Sequence, residues 1–90
     1  MKTIHKYSLT SVGDTRIYTH KDAQIISAHV QKRIPCVWAL VDDEKPKATR
    51  IIQVHLTGGN ADRRTVGIPI GTILMDEGGF VIHVFDGGEE

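Results

Sequence analysis

The sequence predicts an all-β fold, a small antiparallel sandwich or partly open barrel of six or seven strands. Three observations predict it. The apolar residues come in short runs separated by clusters of Gly, Pro, Asp and Asn, which is the pattern of strands and turns. Helix signals are nearly absent, and a helical turn near 21–23 is not required. The connections between runs are short, whereas parallel neighbours need crossovers of about a dozen residues or more, so antiparallel order is expected.

Taken in order, KTIHKYSL at 2–9 is the first run, and SVGD at 11–14 is a turn signal. A short strand is expected near 16–19. QIISAHVQ at 24–31 alternates, with Ile26, Ala28 and Val30 on one face and Ile25, Ser27, His29 and Gln31 on the other. Residues 32–35, KRIP, turn the chain. CVWALVD at 36–42 is apolar on both faces until Asp42, so a central strand covered on both sides is expected, with Trp38 and Cys36 in the core. A charged loop, DEKPK, leads to ATRIIQVHLT at 48–57. IPIGTILM at 68–75 carries Gly71 as a bulge signal, and DEGG at 76–79 reads as a hairpin turn before FVIHVF. The acidic residues 86–90 are expected to fray. The whole chain, 1–90, is read as one domain.

Lys plus Arg number 11 and Asp plus Glu number 11, so the net charge is zero with His neutral. That balance argues against a non-specific nucleic-acid binder, which needs a net basic face. A chain of 90 residues buries a modest core, so pairing with copies of itself is expected to help. The single cysteine permits no intrachain disulfide, no run is long enough to span a membrane, and the N-terminus has no secretory pattern. Cytoplasmic localisation is therefore expected.

Catalytic signals are thin. His29, His55 and His83 sit mid-strand between apolar neighbours without the spacing of a metal site, and nothing sets Cys36 beside a cation that would activate it. No catalytic residue, metal or cofactor is expected. The one stretch that suggests binding is LTGGNADRRTVG at 56–67. Gly58 and Gly59 free the backbone to aim N–H groups at an anion, Asn60 offers an amide to a base or ribose edge, and Arg63 and Arg64 bring planar forks suited to phosphate. Arg50, on the preceding strand, is a further candidate ligand residue. The alternative is a long polar hairpin loop with its charges in water.

Several stretches together resemble a family of small bacteriophage and prophage proteins: IHKYSL near the start, QIISAHVQ followed by PCVWALVD, IGT at 70–72, and GGFVIHVF at the end. The loop that reads GTGH in that pattern is TGGN here, from Thr57 to Asn60, so any role of that His does not transfer. The resemblance implies a viral, non-enzymatic protein acting inside a bacterial host. Two functions follow as expectations. One is sequestration of a phosphate-bearing ligand such as a cyclic nucleotide immune signal, by analogy with phage sponges. The other is binding and inhibition of a host protein.

Overall fold

A computed structural model describes residues 1–59 and 66–90, apart from the side chain of Glu77. The described chain forms β1 (Lys2–Ser8), β2 (Gly13–His20), β3 (Gln24–Gln31), β4 (Ile34–Asp42), β5 (Lys47–Leu56), β6 (Ile68–Met75) and β7 (Phe80–Glu89). A 3-10 turn at Asp76–Gly78 joins the last two. The strands make two sheets, β1-β4-β3 and β2-β5-β7-β6, and every pairing is antiparallel. The all-β expectation holds, as a sandwich of three and four strands.

Period-two alternation sets which residues meet between the sheets. Val37, Ala39 and Val41 of β4 face Ile52 and Val54 of β5 and Ile82 and Val84 of β7 within one buried cluster. Ile17, Ile25, Ala28 and Ile73 complete the walls, and Leu9 and Ala23 close the ends. Neighbouring even positions of β4 point the other way, which puts Trp38 on the outer face of the three-stranded sheet. There it lies half-buried opposite Lys6 and Ser27. The expectation of a core Trp38, on a strand covered on both sides, is corrected. β4 is central in its sheet, but the second sheet covers only its inner face.

Two further differences have local causes. A bulge at Ile25/Ser27 adds a residue to β3, so Ile25 and Ala28 both face inward and Ile26 is left outside. Simple alternation had put Ile26 and Ala28 on the same face. The terminal residues 86–90, expected to fray, are instead tied down. β7 continues to Glu89, Arg16 grips Glu90 at 2.9 Å, and the Glu90 amide donates to the Thr49 carbonyl at 2.9 Å.

Strand direction decides the character of residues 57–67. β5 and β6 both pair antiparallel with β7, so they run the same way on either side of it. Leu56 ends β5 opposite Ile82, whereas Ile68 opens β6 opposite Asp86. The connection thus joins two strands that run the same way, its ends four residues of β7 apart, and is not the hairpin loop of the alternative expectation.

The true hairpin of the smaller sheet turns on Lys32 and Arg33 alone, since Gln31 pairs directly with Ile34. Both turn residues have positive φ, 51° and 68°. That is the backbone of a two-residue turn matched to sheet twist, where Asn-Gly is the favoured pair.

Replacing Lys32 by Asn is expected to raise stability by about 0.5 kcal/mol, read by urea denaturation, because Asn adopts the left-handed backbone of this turn more readily. In the core, Ile52→Ala is expected to cost about 3–4 kcal/mol in the same measurement, since Ile52 is fully buried between the sheets.

Candidate functional site

The described residues of the predicted loop divide between two ends of the sandwich. At one end β5 runs into a tight turn in which the Gly59 amide donates to the Leu56 carbonyl at 2.9 Å. Gly58 holds the position that needs positive φ, at 79°. The Gly59 N–H is therefore occupied inside the turn. At the other end the Gly67 amide donates to Gln53 Oε1 at 2.7 Å. A Cβ on Gly67 would lie 2.0 Å from the Asp86 carbonyl oxygen, so only glycine fits there. Asn60, Arg63 and Arg64 lie outside the described residues.

Arg50 is placed far from Gly58 and Gly59. Leu56 lies six residue steps further along β5, a span of about 20 Å. It faces inward, in register with buried Ile17, and makes a two-pronged contact with Asp86: Nε to Oδ1 at 2.9 Å and Nη2 to Oδ2 at 2.8 Å. Their side chains are only 15% and 9% exposed. The Gly88 amide also donates to Asp86 Oδ1, at 2.9 Å, and Glu89 lies 3.9 Å from the guanidinium. The fork that the sequence offered to a ligand is thus engaged within the fold. The signal missed in the sequence was Asp86, which sits in the tail that composition alone marks as loose.

The same end carries a second, exposed pair, Lys45 and Asp22 at 2.9 Å. The hydrogen bond from Lys45, reinforced by its charge, holds the Asp22 carboxyl below the usual carboxylate value, and Asp22 raises Lys45 in return. A lowered carboxyl contributes stability that is present at neutral pH and lost as pH falls through its folded value.

The mid-strand histidines do not converge. His29 lies on the smaller sheet, edge-on to Trp38 with ring centroids 6.4 Å apart. His55 and His83 are direct cross-strand partners on the larger sheet. The Thr57 hydroxyl meets His83 Nε2 at 2.7 Å and the Thr72 hydroxyl meets Nδ1 at 3.1 Å. His55 stands edge-on to Phe85 at 5.6 Å, and its buried Nε2 has no partner among the described residues. Among those residues no group of three or more His, Cys, Asp or Glu side chains is placed to hold a metal. Cys36 is 1% exposed, with its thiol directed to the Ile34 carbonyl at 3.4 Å. No helix of the described residues is long and apolar enough to cross a membrane.

Two surfaces that carry exposed apolar side chains stand out instead. The first is the outer face of β1-β4-β3. Ile4 is 55% exposed and pairs across the strands with Leu40, next to half-buried Trp38, and Ile26 and Ile34 flank them. Lys6 Nζ reaches Gln31 Oε1 at 2.6 Å, from one edge strand to the other, where Cys36 lies between them on β4. The second surface is at the end where the β3–β4 and β6–β7 turns lie. It is a groove of about 600 Å³ lined by Val30, Arg33, Leu74, Met75 and Asp76. An apolar recess beside it is lined by residues including Val12, Pro35, Met75 and Phe80.

Asp86→Ala is expected to lower stability by about 3 kcal/mol in chemical denaturation, because it leaves the largely buried Arg50 guanidinium without its two-pronged partner. The double variant with R50M is expected to recover part of that loss.

No curated protein and no solved structure matches this chain. A family model does, over residues 1–90, and its description is "Domain of unknown function (DUF7352)". The seven-stranded sandwich described above is accordingly the fold of a DUF7352 domain, and the chain belongs to that family.

Proposed function

We propose that this chain is a non-enzymatic binding protein that docks another protein on the outer face of the β1-β4-β3 sheet. The observation that carries this reading is the uncovered outer side of a central strand. Trp38 and Leu40, with Ile4 beside them, form an apolar stripe that the second sheet does not reach. Apolar area of this kind, with an aromatic side chain at its centre, is where protein partners anchor. The rim gives the partner's chemistry. Lys2 and Lys6 line the β1 side of this face, so an acidic border around an apolar contact is the complement. In the phage setting that the resemblance implies, the partner is a protein of the bacterial host and the site of action is its cytoplasm.

A second reading is capture of a phosphate-bearing ligand, such as a cyclic nucleotide immune signal, by the 57–67 crossover. Supporting it are Asn60, Arg63 and Arg64 in that segment, and a buried His55 Nε2 without a partner among the described residues, on the strand it leaves. In this reading Gly58 and Gly59 shape the turn, and Arg50 braces the fold through Asp86 rather than touching ligand.

One set of purifications separates the two. The wild-type chain is expected to retain a stoichiometric host protein that the surface variant I4E/L40E loses, and complex formation is expected to shift the emission of Trp38, the only tryptophan, to the blue. A wild-type chain that holds no protein, yet melts higher with added cyclic dinucleotide unless it carries R63E/R64E, would replace the first reading with the second.

A further inference from the structure

The groove at the turn end of the sandwich is a different surface from either proposed above, and its charges are arranged differently. Arg33 sits on the β3–β4 turn of the smaller sheet and Asp76 on the β6–β7 turn of the larger one. They line the same groove, yet neither forms an ion pair with the other or with any other described residue. Between them lie Val30, Leu74 and Met75, and Leu74 is 61% exposed. Both charged residues hold positive φ, 68° and 49°, in the short connections of their hairpins.

A groove that carries one cation, one anion and the exposed side chain of Leu74 has the composition of a self-complementary patch. A two-fold axis through the groove brings the Arg33 of each copy to the Asp76 of the other, forming two identical ion pairs around an apolar centre. Closed dimers require this arrangement, in which residue i meets j and j meets i. A partner of single-signed charge would satisfy only one wall and oppose the other. We propose that this groove is the interface of a symmetric homodimer, with Leu74 seated against its two-fold mate and Arg33–Asp76 pairs closing both sides.

The test uses charge reversal and mixing, read by sedimentation equilibrium. Thermal melts of each variant establish that it is folded. The wild-type chain is expected to be dimeric at micromolar concentration. R33E and D76R alone each convert both ion pairs to repulsions, and each is expected to weaken the dimer about tenfold or more. Mixed in equal amounts, R33E and D76R restore opposite charges at both sites and are expected to reassemble as a one-to-one heterodimer. L74E is expected to be a folded monomer. A wild-type monomer, folded single variants as dimeric as wild type, or a mixture that fails to reassemble would each overturn the proposal. The outer-face variant I4E/L40E is expected to remain dimeric, which keeps this result separate from the fate of the protein-docking reading.

Discussion

The contact between Arg50 and Asp86 organises the end of the sandwich where the β2–β3 and β4–β5 turns and the entry to β6 meet. Asp86 stands where β7 shifts register against β5, at Gly87. Its carboxylate holds the guanidinium and the Gly88 amide together, while its carbonyl presses on Gly67 at the return of the crossover. One residue thus ties the inner face of β5, the bulged end of β7 and the entry to β6. A charge pair this far from water is tolerated because its geometry is two-pronged and the carboxylate accepts a third hydrogen bond, from the Gly88 amide. The same pair explains why the acidic end of the chain is strand rather than tail.

The strands were legible in the sequence because each is short, alternates and ends in turn residues. β3 through β7 fall close to where the apolar runs lie. What escaped was set by partners that a linear pattern does not show. The extra residue at Ile26 makes two neighbours share the outer side, and no composition signal marks it. Trp38 looks like core by hydropathy, but alternation with Val37 and Ala39 sends it outward. Gly67, unremarkable in sequence, is obligatory because a carbonyl lies against it.

The binding loop was legible as a composition and not as a place. TGGN reads as a turn, and Gly58 and Gly59 form one. Arg50 was grouped with Arg63 and Arg64 by chemistry alone, yet a full strand length separates it from the turn, and its charge is answered by a residue 36 positions later. The apolar outer face was written in CVWALVD all along. A run apolar on both sides announces two covers, and the chain itself supplies one.

The order of strands also bears on how the chain reaches this state. Only the β3–β4 and β6–β7 hairpins join neighbours in sequence by tight turns. The pairings of β1 with β4, β2 with β5 and β5 with β7 close long loops, as when Lys2 meets Asp42. Loop-closure entropy must be met before such contacts reward it, so folding is expected in the slow range of sandwich topologies, milliseconds to seconds. A β3–β4 hairpin formed ahead of the long-range pairings leaves both apolar sides of β4 open to water. The segment best suited to holding a partner is therefore also the one most exposed to the wrong one while the sheet assembles.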